Sequence, residues 1–279
     1  MATSISILGC GWIGLPLAHD LLSKGYEVKG ATTTPEKLKQ LKMAGIEPYL
    51  IRLNPKLECE DCSGFWQSEI LILNIPPGKK KDQSQRVDHS RQVEEVLREA
   101  TRSTSSVKWI IYTSSTSVYP DVDKILAEED AELTDELKER GKRILRAENL
   151  LRKMEDIDTT IIRFGGLYGY DRHPVKYMQG KKALKSGNAP VNLIHQDDCI
   201  NIINTVIRQD ARNEVFNAVS DGHPPRKTFY TAAAKHLGLE PPVFIEDNNS
   251  NEHKIISNQK LKEKLGYQFL YPNPMDHTP

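Results

Sequence analysis

Residues 9–14 read Gly9-Cys10-Gly11-Trp12-Ile13-Gly14, a GxGxxG loop, and that spacing serves the binding of a dinucleotide pyrophosphate. Gly9 allows a tight turn. Gly11 has no Cβ, so a phosphate can approach the backbone, and Gly14 lets a helix pack closely on a strand. A helix starting at the loop offers unbonded N–H groups and the positive end of its dipole to the phosphates. A glycine-rich turn without a ligand would carry the same glycines, so the flanks decide. Residues 4–8 are a β-type run, residues 15–24 have a helical pattern ended by Gly25, and residues 26–30 are a second β-type run. In that frame the loop predicts a dinucleotide site.

A second group of residues bears on which dinucleotide. NAD sites place an acid at the end of the second strand to hold the ribose 2′-OH. Here the chain runs Thr32-Thr33-Thr34-Pro35-Glu36-Lys37. Three hydroxyls and a lysine suit a 2′-phosphate, which a carboxylate would repel, so NADP is expected, with NAD as the alternative. The plain reading of Thr34-Pro35-Glu36 is a helix cap and first turn. Further candidates follow later strands: Asn74-Ile75-Pro76-Pro77, then the hydroxyl run Thr113-Ser114-Ser115-Thr116-Ser117 before Val118-Tyr119, then Phe164-Gly165-Gly166. The hydroxyls suggest a polar site beside the cofactor or, more plainly, capping duties. The glycines suggest close backbone approach. Lys79-Lys80-Lys81 would attract an anion or lie solvated. The acid-rich stretch 121–139 reads as a solvated loop. Cys59 and Cys62 form a lone CxxC with no second ligand pair, which predicts a loop with reduced thiols and no metal site.

Along the chain, helical and β-type patterns alternate: helix 36–44, strand 46–53, strand 69–74, helix 87–100, strand 108–112 and strand 159–163. This predicts an α/β fold, a doubly wound Rossmann parallel sheet with helices on both faces and a small C-terminal substrate lobe. Ligands in such sheets bind at the carboxyl ends of the strands. The expected division is a nucleotide-binding domain over 1–170, with 191–220 returning to it, and a substrate lobe from 171–190 and 221–279.

Composition narrows the partners. The 279 residues hold 38 basic and 38 acidic side chains, a net charge of zero. No global basic field exists to hold a nucleic acid. The charged fraction of 27% beside 38% hydrophobic residues is ordinary for a globular chain. No apolar run is long enough to predict a membrane span. The first residues lack the basic start and cleavage site of a signal peptide. With reduced thiols, this favours the cytoplasm, a small-molecule substrate, and room for a homodimer.

Several of these segments together resemble the extended short-chain dehydrogenase/reductase superfamily, the branch with NAD-dependent epimerases and dehydratases. Residues 112–119 look like its serine loop ending in Val-Tyr. Residues 162–169 are similar to its Arg-x-x-x-x-Tyr-Gly turn beside the nicotinamide, and 193–198 to its Ile-His-x-x-Asp segment. The likeness covers nearly the whole chain. It implies that Ser115 contacts a substrate carbonyl or hydroxyl. Two departures matter. The family loop is usually GxxGxxG, and the catalytic Tyr-x-x-x-Lys is missing: Arg140 and Ile144 stand where its members belong. A guanidinium does not give up a proton near neutrality and Ile144 has none to give. Two functions remain open. One is an oxidoreductase or epimerase/dehydratase-like enzyme in which Ser115 holds the substrate oxygen and Tyr119 or His195 is the acid/base. The other is a catalytically silent NADP-binding sensor or scaffold.

Overall fold

The computed structural model describes residues 2–54, 56–76, 88–246 and 253–276. Numbering only the strands of the main sheet, β1 is Ser4–Leu8, β2 Glu27–Thr32, β3 Glu47–Leu50, β4 Ile70–Leu73, β5 Trp109–Ser115, β6 Asp158–Phe164 and β7 Val215–Ala218. The helices are α1 Gly14–Ser23, α2 Lys37–Met43, α3 His89–Ala100, α4 Glu139–Arg152, α5 Gln196–Arg208, α6 Arg226–His236 and α7 Gln259–Leu265. The seven strands lie in the order β7-β6-β5-β4-β1-β2-β3. This is the order 3-2-1-4-5-6 of a dinucleotide-binding sheet with one strand added. The ladders β1–β2, β1–β4, β2–β3 and β4–β5 are parallel. For β6 and β7, Ile161 N–H donates to Glu214 O and Gly165 N–H to Ala218 O, an equal advance that marks a parallel pair.

Sequence and burial agree locally. All four residues of β4 are buried, as a strand covered on both faces requires. Helix α1 buries Gly14, Leu17, Ala18 and Leu21, the i, i+3, i+4, i+7 stripe of a helix lying on a sheet. Each buried leucine there contributes about 1.5–3 kcal/mol. Gly25, at φ +86, ends the helix.

The chain divides into two compact units. Unit one is Met1–Ser114, Glu139–Ile162 and Val206–Val215; unit two is Ser115–Lys138, Arg163–Thr205 and Phe216–Pro279. Beside the segments 171–190 and 221–279 expected in a substrate lobe, unit two also takes in Ser115–Lys138, Arg163–Tyr170, 191–205 and 216–220. The core of unit one packs Leu8, Leu71, Leu73, Val93, Val96, Ile110 and Leu151, among others. In unit two Tyr168, Val175, Val191, Leu193 and Phe229 form a cluster.

Element ends moved as far at β3, which stops at Leu50, as at β5. The apolar pattern predicts a strand over 108–112, but β5 continues through Ser115. A hydroxyl run carries no hydrophobic period, so the ladder rather than the pattern sets its end. Among the described residues, no helix is long and apolar enough to cross a membrane.

Candidate functional site

In unit one the glycine loop is built from behind by backbone. Gly9 sits at φ +114, and a Cβ there would strike the carbonyl of Asn74. A Cβ on Gly14 would strike the Gly9 carbonyl. Only glycine fits both places. Gly11 differs: a Cβ there would meet nothing within 4 Å, so its face is open. The Asn74 amide donates to Gly9 O at 2.9 Å, and its Oδ1 accepts from the Thr113 hydroxyl at 2.9 Å. Asn74 and Thr113 thus hold the loop's shape with their side chains. Cys10 N–H donates to Ala31 O, while its thiol is buried and pushed up to about 12 by that burial. No side chain caps the N-terminus of α1. The residues present therefore fit a pyrophosphate: an open glycine face beside an uncapped helix start. Trp12 is half-buried and Ile13 buried.

The end of β2 is where the sequence places the 2′ side of the cofactor as an expectation. Thr32 is buried, and its Oγ1 accepts from Thr34 N–H at 3.2 Å, so it shapes the turn. Thr33 is exposed and Lys37 is exposed at the start of α2. A residue that sequence reading missed joins them. Arg52 Nε donates to Thr33 O at 3.2 Å. The parallel register opposes Thr32 to Leu50, and Ile51 N–H bonds Thr32 O, which brings the next residue beside Thr33. Only that register could have revealed it. Ile75 packs partly on the core and Pro76 is exposed. Pro77 and Lys79-Lys80-Lys81 lie outside the described residues.

Ser114, expected at the cofactor, is committed elsewhere. It is buried and donates to Glu148 Oε1 at 2.5 Å. In α4, Ile144, at the position where the resemblance expects a lysine, is 1% exposed and packs in the core.

In unit two Ser115 is half-buried. Its Oγ accepts from Ser117 N–H at 3.2 Å and contacts Ser117 Oγ at 3.0 Å, capping the short turn Thr116–Val118. Tyr119 is 2% exposed, and its hydroxyl is fully engaged. It accepts from Arg163 at 2.7 Å and donates to Asn217 Oδ1 at 2.7 Å. Burial pushes its pKa above the ordinary phenol range, outweighing the Arg163 charge. Arg163 also donates to Glu128 O, and Glu128 Oε1 accepts from Asn217 N–H at 2.7 Å. Glu128 is thus a buried part of this knot, contrary to the solvated loop expected over 121–139. The Tyr119 hydroxyl, expected as an acid/base, thus donates and accepts inside the protein, in bonds that hold unit two together.

His195 is 5% exposed. Its Nδ1 accepts from Asp197 N–H at 3.2 Å, its ring stacks on Tyr271 at 3.7 Å, and Tyr168 meets it edge-on at 5.2 Å. A Cβ on Gly169 would come within 2.7 Å of its Nε2. Phe164 is buried. Gly165 donates to Ala218 O, and a Cβ there would meet Asn192 O at 2.8 Å. The close approach promised by these glycines is thus approach of chain to chain.

Comparison with known proteins agrees with this layout. No family model matches the chain. Protein YeeZ of Escherichia coli K12 is 31% identical over 273 residues, 97% of each chain. Among solved structures, a short-chain dehydrogenase/reductase superfamily protein from Agrobacterium tumefaciens with bound NAD is similar at TM-score 0.75 and 15% identity, over 99% of this chain and 95% of that one. UDP-glucuronic acid 4-epimerase from Bacillus cereus in complex with NAD gives 0.75 and 21%, over 96% and 94%. UDP-N-acetylglucosamine 4-epimerase from Bacillus cereus gives 0.75 and 17%, over 98% and 96%. The chain belongs to the family of Protein YeeZ, and its fold is that of the extended short-chain dehydrogenase/reductases.

Proposed function

We propose that the protein binds NADP(H) on the glycine loop and acts as an atypical oxidoreductase or epimerase-like enzyme on a small carbonyl, hydroxyl or nucleotide-sugar-like substrate. The observation that carries the cofactor part is the open face of Gly11 beside the uncapped start of α1. Solved structures with this fold include complexes with NAD, which supports a dinucleotide. The choice of NADP rests on the end of β2, where the Arg52 side chain bonds Thr33 O and residues 30–34 hold no acid. A guanidinium recognises a phosphate by charge-assisted, bidentate hydrogen bonds.

Bound there, the cofactor supplies hydride transfer. The chain's own share is to bind and orient. Asn74 and Thr113 fix the loop, and Ser115 offers a hydroxyl to a substrate oxygen. Without a Tyr-x-x-x-Lys pair, the acid/base contribution of about 10²–10⁴-fold is lost, so turnover is slow. A silent cofactor-binding sensor is the second reading. It is favoured by the burial of Ile144 and by the engagement of Tyr119 and His195 inside the protein.

Titration with NADPH and NADH tests the first claim. NADPH should bind about tenfold or more tightly, and Arg52→Gln should erase that preference. Equal affinities in the wild type overturn the NADP assignment. Single-turnover mixing of the NADPH complex with carbonyl compounds and nucleotide sugars tests the second. Loss of nicotinamide absorbance that disappears in Ser115→Ala supports the enzyme. Tight binding without turnover across the panel supports the sensor.

A further inference from the structure

The first turn of α4 holds two arginines, Arg140 and Arg143, three residues apart and so on one helix face. Ile144, Ala147 and Leu151 continue that face into the core, which draws the arginines against the protein at its near end. Neither guanidinium has an ion-pair partner among the described residues. The acids within reach are engaged. Glu139 pairs with Lys142 at 3.6 Å, Glu148 accepts from Ser114, and Asp88 Oδ1 accepts from Ser90 N–H and Ser90 Oγ at the start of α3. Nε of Arg143 is buried with no hydrogen-bond partner. Such an orphaned donor is rare in folded proteins and costs stability.

The surroundings are neutral. His89, at the start of α3, is within electrostatic reach of both arginines. Its Nε2 lies 2.7 Å from the Tyr112 hydroxyl and its Nδ1 3.3 Å from Gln92 Oε1. The Gln92 amide donates to Leu53 O at 2.8 Å, which turns its Oε1 toward the histidine. Nδ1 is therefore the donor and Nε2 accepts from the phenol, so the ring is an uncharged imidazole. Burial first and the two arginines next hold it below its ordinary pKa, with Gln92 and Asp88 opposing. Arg140, although exposed overall, is held below the ordinary guanidinium range by the protein around it and then by the Arg143 charge. Two like charges thus stand beside a neutral histidine, at a helix start that itself disfavours cations. Among the described residues, no acid pairs with either guanidinium to offset that cost.

We propose that Arg140 and Arg143 form an oxyanion-binding subsite of unit one, so that the substrate bears a phosphate or carboxylate group. Arg140 stands where the tyrosine of the Tyr-x-x-x-Lys pair belongs in the superfamily the chain resembles, so binding replaces proton transfer at that position. The subsite deepens the enzyme reading given above, because it names the substrate class.

The probe is inorganic phosphate, with acetate as the carboxylate arm, titrated by calorimetry into the full chain saturated with NADPH. Saturation keeps the glycine loop from reporting. Wild type should bind one of the two, and R140Q/R143Q should weaken that binding about tenfold or more. The phosphate and acetate arms tell which oxyanion is preferred. The NADPH Kd should stay within about twofold, and removing the repulsion should hold or raise Tm. Identical titrations in wild type and variant, or no binding to wild type, overturn the subsite. An equal loss of NADPH affinity also overturns it, by assigning the arginines to the cofactor. Failure of NADPH to bind wild type sinks the cofactor reading alone, since the phosphate difference between the two proteins still reports. Should the double variant not fold, Arg140→Gln, at an exposed side chain, carries the same comparison.

Discussion

The glycine loop of unit one and the tyrosine knot of unit two both come from motif-like sequence, yet they do opposite things with their polar groups. In the loop, the side chains of Asn74 and Thr113 are spent on holding backbone, and the face of Gly11 is left open. In the knot, Tyr119, Arg163, Glu128 and Asn217 bond to one another in the interior. A motif states which atoms are present. Whether they are available depends on residues far away in the chain. The loop is the candidate site because the face of Gly11 is open, whereas the polar groups of the knot are bonded to one another.

The widest gap between the two kinds of glycine in the loop should appear on substitution. Gly9→Ala forces a Cβ onto the Asn74 carbonyl at a positive φ, and should cost about 3 kcal/mol or more in urea unfolding. Gly11→Ala meets nothing and should change stability by less than about 1 kcal/mol. Its effect should fall on NADPH, with Kd raised tenfold or more. NADPH binding as tight as in wild type would show that the open face is not where the phosphates lie.

Acid should expose the interior polar groups next. His173 is buried, stacked on Phe229, and held down to about 4 by burial, with the Lys176 and His236 charges acting the same way. His89 and His223 are also lowered by burial. A base with a depressed folded pKa binds fewer protons folded than unfolded. Stability is therefore intact above about pH 6.5 and falls as the pH drops from there toward 4. The His173 share is at most about 3 kcal/mol. His173 also caps the turn at Pro174–Tyr177 by accepting from Val175 N–H, so His173→Asn keeps the cap and removes the titration. Unfolding free energies measured across that window should slope less in the variant. An unchanged slope would mean that other groups carry the acid response.

The knot itself gives a smaller, sharper test. Tyr119→Phe strands an Arg163 N–H and the Asn217 Oδ1, and should cost about 1–3 kcal/mol of stability. Single-turnover rates of the folded variant should match wild type. The reverse outcome, full stability with a lost rate, would return Tyr119 to the acid/base role.

What the sequence made legible follows the range of the interactions. The first strand is readable residue for residue, Ser4–Leu8, because a β-run, three glycines and a helical stripe are all local. The parallel sheet followed from the same alternation. The end of β5 was not legible, because Thr113, Ser114 and Ser115 have no apolar period although the ladder holds them. Arg52 was invisible without the β2–β3 register. The knot was beyond reach altogether: Tyr119 and Asn217 stand 98 positions apart, and nothing local marks them as partners. The glycines at 165 and 169 were recognised as sites of close approach, but glycine alone does not say what approaches.

Ser115 is where the two regions meet in the chain, the first residue of unit two after Ser114 ends unit one. The adjacent serines have unlike fates. Ser114 is buried on Glu148, while Ser115 keeps a half-buried hydroxyl that accepts from Ser117. Ser115→Ala removes a cap from a single short turn, so its effect on stability should be the smallest of the set, about 0.5–1 kcal/mol. Ser114→Ala takes one buried donor from the Glu148 carboxylate and should cost more, about 1–3 kcal/mol. If Ser115 holds the substrate oxygen, the order inverts for turnover: Ser115→Ala loses it and Ser114→Ala, once folded, does not. Thermal melts and single-turnover traces on the two variants separate holding the fold from holding the substrate. Equal turnover in both would leave the serine loop a capping device and favour the silent sensor.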